Sequence, residues 1–149
     1  MKSADLPASF AQFETLYRVL DANSIPAMQA VYDDAVVFID PVHQIRGLDA
    51  LQAYTGKLLA HVKACGFDCQ RWIVDGDDAV VQWVMHLQHA SLRGGAPIAL
   101  KGVSRLHRNA QGKIDEHEDF YDLGAMVYEH VPVLGALIRG VKHRLAGAA

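Results

Sequence analysis

The feature that most limits the fold of this chain is a run of four β-rich segments in its second half. The segments span residues 67–74, 79–90, 98–108 and 113–121. They are joined by Asp75-Gly76-Asp77, Arg93-Gly94-Gly95 and Asn109-Ala110-Gln111-Gly112, which are turn compositions. Strands joined by short turns pair in antiparallel order. The second half is therefore predicted to be an antiparallel β-meander.

Three helical patterns precede the meander. Apolar residues recur at helical spacing over residues 10–22, after a capping-box pair of Ser9 and Gln12. A second helix is predicted over 24–31, with Pro26 in its first turn, and a third runs from Gly47 to about residue 62. Between them, residues 36–39 form a short strand that Asp40-Pro41 ends. Helices followed by strands indicate an α+β fold, with the helices on one face of the sheet.

The tail from residue 124 to about 146 returns to a helical pattern. Its apolar residues form one narrow stripe, which consists of Val127, Val131, Leu134, Ile138, Val141 and Leu145. Pro132 is expected to break or kink this helix near its middle. The tail is interpreted as a helix that docks on its own domain or on a dimer partner, and a membrane-surface or lid role is the alternative.

Bulk properties favour one globular domain over residues 1–149, with a core at about 9–123. The chain has 149 residues, 51% of them hydrophobic, and a net charge of -3. This balance gives no general attraction to nucleic acid. No apolar stretch is long enough to span a membrane, and no signal peptide is recognisable, so a cytoplasmic location is expected. The two cysteines, Cys65 and Cys69, are interpreted as reduced thiols.

Three polar residues occupy alternate positions of the last predicted strand. They are His117, Asp119 and Tyr121. Side chains alternate faces along a strand, so these three are predicted to point the same way. On a cavity wall they would form an acid/base pair beside a phenol. On a solvent face they would be ordinary exposed polar residues of a strand.

Two stretches of the chain resemble a known superfamily. The first runs over residues 31–42, contains Asp40-Pro41-Val42, and is followed by Arg46-Gly47; the second runs over residues 111–117. Together they resemble the nuclear-transport-factor-2-like superfamily, which includes ketosteroid isomerases and SnoaL-like polyketide cyclases. The resemblance covers roughly residues 9–123. It implies a cone-shaped, strongly bent antiparallel sheet wrapped around the N-terminal helices, with a central pocket.

The resemblance also implies roles for individual residues. Asp40 stands where ketosteroid isomerases keep the base that moves a proton between carbons of the steroid. His117, Asp119 and Tyr121 would line the pocket on the final strand, where SnoaL-like cyclases place acid/base residues. The isomerase's oxyanion-hole tyrosine aligns with Leu16, one place from Tyr17, and its protonated aspartate aligns with Ser104. These departures favour a related reaction over ketosteroid isomerisation itself.

A further set of residues is predicted to contact the ligand. It consists of Tyr17, His43, Tyr54, Trp83, Met85 and Ser104. Trp83 and Met85 share one face of the longest predicted strand, and an apolar wall suits a hydrophobic ligand. No His-x-His or helical His-x-x-x-His spacing occurs on the predicted strands, so no metal site is predicted. No dinucleotide, phosphate-loop or hydrolase motif is present either, and no cofactor is expected.

The residues and the resemblance together predict a cofactor-independent enzyme that isomerises or cyclises a small, largely apolar carbonyl compound by proton transfer. Asp40, His117, Asp119 and Tyr121 are its candidate catalytic residues. Two alternatives remain open from the sequence. One is a ligand-binding module with the same pocket and no turnover, and the other is a dimerisation module whose pocket is incidental. A homodimer is expected in either case.

Overall fold

The protein is described here by a computed structural model, which covers residues 5–126 and 132–148. Its helices are α1 (Ala8–Arg18), α2 (Ser24–Val31), α3 (Leu48–Leu59), α4 (Leu123–Met126) and α5 (Pro132–Ala146). Its strands are β1 (Tyr32–Ile39), β2 (Gln44–Arg46), β3 (Val62–Asp75), β4 (Asp78–His89), β5 (Ile98–Arg108) and β6 (Ile114–Tyr121). The α+β class predicted from the sequence is confirmed.

The six strands form one open sheet in the order β2-β1-β6-β5-β4-β3. The predicted meander β3-β4-β5-β6 is present with antiparallel pairing throughout. The sheet as a whole is mixed, because β1 joins β6 in parallel. This pair was not foreseen, since the strands lie far apart in sequence and only the return of β6 beside β1 brings them together. The architecture is that of the predicted bent-sheet cone.

The first helix begins and ends earlier than its pattern predicts. It is preceded by Pro7, and the predicted capping box does not form because Ser9 is already inside the helix and buried. It ends at Arg18, after which the Leu20 amide donates to the carbonyl of Cys65. Gly66 passes so close that a Cβ would lie 2.5 Å from the Arg18 carbonyl oxygen. The residues after Arg18, which were expected to extend the helix, therefore contact the backbone of β3 instead.

Two strand boundaries also depend on tertiary pairing. β3 begins at Val62, five residues before the predicted start, because Val62 and Ala64 pair with the end of β4. The three residues of β2 pair antiparallel with β1 and have no signal of their own. The loop between β4 and β5 contains a short 3₁₀ turn, Arg93–Gly95, in which all three residues have positive φ. Glycine at two of these positions supplies that conformation without strain.

The core lies between the helices and one face of the sheet. Phe10 and Phe13 of α1 pack on Trp72 of β3, and Trp72 donates its indole N–H to the buried carboxylate of Glu14. Val81 and Leu106 from the middle strands are fully buried beneath them. Burying a side chain of this size stabilises the fold by roughly 1.5–3 kcal/mol. These contacts fix which face of the sheet is inside.

The register of the central strands decides which polar residues share the inner face. Asp119 is paired with Ser104, which is paired with Val81. Two residues further along β6, Tyr121 is paired with Gly102, which is paired with Trp83. His117 faces Leu106 on one side and Phe38 of β1 on the other. The alternating residues His117, Asp119 and Tyr121 therefore all lie on the inner face.

The described residues of the tail form α4 and α5, and Pro132 is the first residue of α5. Val127 and Val131 of the predicted apolar stripe lie outside the described residues. Leu134, Val141 and Leu145 are exposed, although Lys142 forms an ion pair with Asp122. The docking of this helix stays a prediction.

Candidate functional site

A cavity of about 340 Å³ lies between the inner face of the sheet and helices α1 and α3. Its apolar wall includes Leu20, Phe38, Leu51, Leu58, Leu59, Val62, Phe67, Trp83, Met85, Leu87, Leu92, Leu100 and Met126. Its polar wall includes Tyr17, Asp40, Tyr54, Thr55, Cys65, His89, Asp119 and Tyr121. A few polar groups in an apolar cavity of this size are typical of small-molecule sites.

The predicted site residues in the polar wall come from four separate parts of the sequence. Tyr17 comes from α1, Asp40 follows β1, Tyr54 comes from α3, and Asp119 and Tyr121 come from β6. Trp83 and Met85 form part of the apolar wall, as expected from their shared face. The cavity thus brings together seven of the ten predicted site residues.

The carboxylate of Asp40 is already occupied by protein donors. Its Oδ1 accepts hydrogen bonds from the backbone amides of Val42 and His43, at 2.8 and 2.6 Å. Its Oδ2 accepts one from the Tyr54 hydroxyl at 2.6 Å. Burial by itself would raise the pKa of Asp40, but the bonds from Tyr54 and the two amides outweigh it and lower that pKa below its ordinary value. Asp40 is therefore a carboxylate held in its ionised form.

Replacing Asp40 with Asn is expected to lower the free energy of unfolding by about 1–2 kcal/mol at neutral pH, because hydrogen bonds to the charged form are lost. A carboxyl group with a depressed pKa in the folded state stabilises the protein above the unfolded-state pKa of about 3.9. This contribution disappears as pH falls through the folded-state pKa. The difference between the variant and the native protein should therefore shrink below about pH 4.

Urea unfolding at a series of pH values measures this difference. Asp75→Asn is the matched control, since Asp75 is an exposed carboxylate at the end of β3. The control should differ little from the native protein at any pH. A difference for Asp40→Asn that does not change with pH would contradict the ionised, hydrogen-bonded state of Asp40.

The second carboxylate, Asp119, is held by one of its two oxygens. Its Oδ1 accepts a 2.5 Å hydrogen bond from the Ser104 hydroxyl and lies 2.7 Å from Nε2 of His117. Ser104 in turn accepts the indole N–H of Trp83 at 2.8 Å. Both of these contacts fall on Oδ1, so Oδ2 is the oxygen left to face a ligand. Asp119 is thus fixed in position while one oxygen stays available.

His117 lies behind Asp119 and does not line the cavity. The imidazole is 2% exposed and packs edge-on against Phe13 and Phe38. Its Nδ1 lies 2.8 Å from the Tyr32 hydroxyl, which lies 2.7 Å from the Tyr17 hydroxyl. The prediction that His117 reaches the pocket is corrected: the ring shares the inner face with Asp119 but is covered by α1 and β1.

The tyrosines around the cavity remain neutral hydrogen-bonding groups. Burial raises the pKa of Tyr17, Tyr54 and Tyr121 well above its ordinary value, and nearby carboxylates raise it further. A neutral phenol has a proton to donate. The Tyr54 proton is used by Asp40. Tyr121 contacts the Trp83 ring, and among the described residues no hydrogen bond to its hydroxyl is seen, so this phenol is the candidate donor to a ligand.

Two further predicted ligand residues lie outside the cavity wall. His43 is exposed, and its Nδ1 lies 3.4 Å from Asp40 Oδ1 and 3.3 Å from the Tyr54 hydroxyl. His43 lies in the loop that follows β1, where its carbonyl accepts a hydrogen bond from the Asp40 amide. Ser104 is buried beneath Trp83 and lines a small void of about 10 Å³ with His117 and Asp119. Its contact is with Asp119 and not with a ligand.

Tyr32 is a residue beside the site that sequence reasoning missed. It is buried at the start of β1, stacks parallel to the His117 ring, and joins that ring to Tyr17. The only local signal is an aromatic hydroxyl at the beginning of a strand. Its partner His117 is 85 residues away, so nothing in the neighbouring sequence reveals the contact.

Within residues 5–126 and 132–148, no group of three or more His, Cys, Asp or Glu side chains is placed to hold a metal ion. In the same part of the chain, no helix is both long enough and apolar enough to cross a membrane.

The family model of the SnoaL-like domain matches residues 13–117 of the chain. The matched segment runs from α1 to the middle of β6 and so contains most of the cavity. The chain belongs to the SnoaL-like family. No curated protein matches the sequence.

Solved structures share the SnoaL-like fold at low sequence identity. A protein of unknown function from Burkholderia pseudomallei is 17% identical, with a TM-score of 0.71 over 82% of this chain and 96% of that one. A Shewanella putrefaciens protein assigned as a SnoaL-like polyketide cyclase is 15% identical, with a TM-score of 0.69 over 82% and 95%. A ketosteroid-isomerase-like protein from Catenulispora acidiphila, solved with trimethylamine, is 13% identical, with a TM-score of 0.69 over 83% and 92%. All three are nuclear-transport-factor-2-like in fold, as the two sequence motifs predicted.

Proposed function

We propose that this SnoaL-like protein is a cofactor-independent enzyme of the isomerase or cyclase type, which transfers a proton on a small, largely apolar carbonyl compound. One observation carries the proposal. Asp119 is fixed through Oδ1, lines an apolar cavity, and has the Tyr121 phenol in the same wall. A positioned base beside a hydroxyl donor is the minimum apparatus for moving a proton next to a carbonyl group.

The sequence pointed to Asp40 as the leading base, and the geometry favours Asp119 for this role. Three protein donors occupy the Asp40 carboxylate and lower its pKa, which weakens it as a base. Asp40 and Tyr54 are better suited to shape the polar end of the cavity and to orient a ligand. His117 acts through Asp119 and is a positioning residue.

The proposed reaction begins with cleavage of a C–H bond α to the carbonyl group. The proton moves to Oδ2 of Asp119, the electron pair forms a carbon–carbon double bond, and the carbonyl oxygen becomes an enolate. Tyr121 donates a hydrogen bond to that oxygen as its charge develops. Asp119 then returns the proton to carbon as the carbonyl group re-forms. Alternatively, the enolate carbon attacks a second carbonyl group to close a ring, the electron pair of that C=O bond moves to its oxygen, and this alkoxide takes the proton from Asp119.

The wall also limits the class of substrate. Two carboxylates, Asp40 and Asp119, face the cavity, whereas no lysine or arginine is among the described residues that line it. An anionic substrate would meet like charge with no cation to offset it. The remaining wall is mainly aliphatic and aromatic. A neutral compound with a single ring or two fused rings fits both the volume of the cavity and the chemistry of its wall.

The family supports the same class of reaction at a coarser level. The matched model is the SnoaL-like domain, and a structural neighbour is assigned as a SnoaL-like polyketide cyclase. Fold similarity on its own does not determine a reaction. The proposal therefore depends on the position of Asp119 and on the experiment that follows.

Deuterium exchange into 2-tetralone, a neutral bicyclic ketone with acidic α-protons, tests proton transfer without the natural substrate. In D₂O, the protein is expected to speed the loss of the α-proton NMR signals by about 10²-fold or more over buffer. Broadening of the ketone signals shows binding in the same sample. A ketone that binds with no faster exchange would contradict the enzyme proposal and favour the ligand-binding alternative.

The expected homodimer is supported by the outer face of the sheet. Ile73 of β3, Val80 of β4 and Phe120 of β6 are 57%, 38% and 52% exposed on that face. Ile73 and Val80 are direct cross-strand partners. Exposed apolar groups on one face are typical of an association surface. Sedimentation of the native protein and of Phe120→Glu would show whether a second copy packs there.

A further inference from the structure

A chain of hydrogen bonds runs through the interior from Trp83 to Tyr17, and one end of it has a fixed direction. The indole N–H of Trp83 can only donate, so Ser104 accepts this bond. The hydroxyl proton of Ser104 is then directed to Asp119 Oδ1, at 2.5 Å. Oδ1 is therefore an acceptor in this chain.

The direction at Asp119 determines which nitrogen of His117 carries a proton. Because Oδ1 accepts, the contact of 2.7 Å with His117 requires a hydrogen on Nε2. A neutral imidazole has only one N–H, so Nδ1 must then accept from Tyr32. A protonated imidazole has a hydrogen on both nitrogens, and Nδ1 must then donate to Tyr32. The protonation state of His117 therefore determines which partner donates and which accepts in the hydrogen bonds from His117 to Tyr32 and from Tyr32 to Tyr17.

The two tyrosines carry this direction to the cavity. With His117 neutral, Tyr32 donates to Nδ1 and Tyr17 donates to Tyr32, so the Tyr17 oxygen offers only lone pairs to a ligand. With His117 protonated, Tyr32 donates to Tyr17, and the Tyr17 hydroxyl can then donate a hydrogen bond to a ligand in the cavity. Burial raises the pKa of both tyrosines well above its ordinary value, so neither ionises in place of the imidazole.

We propose that His117 and Tyr32, neither of which lines the cavity, are positioning residues that switch Tyr17 between a hydrogen-bond acceptor and a hydrogen-bond donor toward the ligand. When Tyr17 is a donor, it joins Tyr121 in binding a carbonyl or enolate oxygen. When it is an acceptor, the cavity favours ligands with a hydroxyl group. This inference deepens the proposed function, because it assumes that a carbonyl ligand occupies the cavity.

The groups that face His117 limit what else can respond to pH. Tyr17 and Phe13 approach from α1, Tyr32 and Phe38 from β1, Leu106 from β5 and Asp119 from its own strand. Cys69 of β3 shares the small void beside the ring, and burial raises the pKa of its thiol to about 12. Cys69 thus stays neutral. Imidazole is the side chain whose ordinary range of titration lies between about pH 5 and 8.

Nitrogen-15 NMR of the native protein without ligand tests the first half of the proposal. The side-chain shifts distinguish the two neutral forms of an imidazole from its cation. When the His117 ring is neutral, its hydrogen is expected on Nε2, and when the ring is protonated, the second hydrogen should appear on Nδ1. A neutral ring with hydrogen on Nδ1, or a ring that stays neutral to pH 5, would overturn the proposal.

The affinity for 2-tetralone tests the second half and requires binding but no turnover. Tyr17 should become a donor to the ketone oxygen as pH falls from 8 to 5, so the dissociation constant should decrease about five-fold, the effect of one hydrogen bond. Tyr32→Phe keeps the ring in place and cuts the chain between His117 and Tyr17, so this variant and Tyr17→Phe should lose the pH response.

His86→Gln is the matched control, because His86 is an exposed histidine of β4 that neither lines the cavity nor belongs to the chain of hydrogen bonds. It should retain the response of the native protein. If Tyr32→Phe keeps the response, or if His86→Gln loses it, the relay through Tyr32 is overturned. A protein that shows the pH response but does not exchange the α-protons of 2-tetralone would contradict the proposed enzyme and leave the switch established.

Discussion

Asp119→Asn is expected to reduce proton exchange into bound 2-tetralone by about 10²-fold, to nearly the rate in buffer, because the general base is lost. Asparagine has nearly the same shape, and its side-chain oxygen can still accept from Ser104 and His117 at the position of Oδ1. It cannot take up a proton at ordinary pH. The dissociation constant for the ketone should therefore change little, and the rate of exchange should fall.

Asp115→Asn is the control for this substitution, because it makes the same change on the same strand. Asp115 pairs with His107 and is not among the residues of the cavity wall. Its variant should exchange the ketone at nearly the native rate. Native exchange by Asp119→Asn would exclude Asp119 as the base. Loss of exchange by Asp40→Asn alone would return that role to the residue that the family resemblance favours.

Gly102→Ala is expected to have the largest effect on stability, a loss of about 3 kcal/mol in the free energy of unfolding. Gly102 is buried on β5, opposite Trp83 and Tyr121, and the indole ring of Trp83 lies directly on its Cα. A Cβ at this position would overlap the ring. Trp83 also donates to Ser104, which holds Asp119, so a displaced indole should disturb the site as well.

Urea unfolding measures this loss, and Gly140→Ala provides the comparison. Gly140 lies within α5, and a Cβ there would have no heavy atom within 4 Å. Alanine is also favoured over glycine inside a helix by about 1 kcal/mol. Gly140→Ala should therefore cause no loss of stability. Equal effects of the two substitutions would show that Trp83 does not pack on Gly102.

The parts of the site that could be predicted are those in which local sequence fixes geometry. The alternation of His117, Asp119 and Tyr121 placed them on one face of β6, and the structure has them there. The predictions that were wrong depend on which residues cover that face. His117 was expected in the cavity, yet Phe13 and Phe38 from other elements enclose it. Periodicity specifies a side of the strand but does not specify the depth of the side chain.

The chemistry of the two carboxylates was equally beyond local sequence. Asp40 lies in an Asp-Pro-Val motif that resembles a catalytic one, but Tyr54, fourteen residues later, occupies one of its oxygens. Asp119 resembled an ordinary acidic residue near a strand end. Only the packing of α1 and β5 against β6 surrounds it with donors and directs it toward an apolar cavity.

Two motifs indicated the superfamily by their resemblance to it. Local patterns in the sequence specified the order and type of the main elements and the common face of the three polar residues on β6. These follow from side-chain periodicity and from turn chemistry, which act within a few residues. The packing of distant segments determined which carboxylate is available and where His117 lies. It also brought Tyr32, which is 85 residues from His117 in sequence, into contact with both His117 and Tyr17. Hydrogen bonds of this kind depend on distance in space, and one-dimensional patterns do not encode that distance.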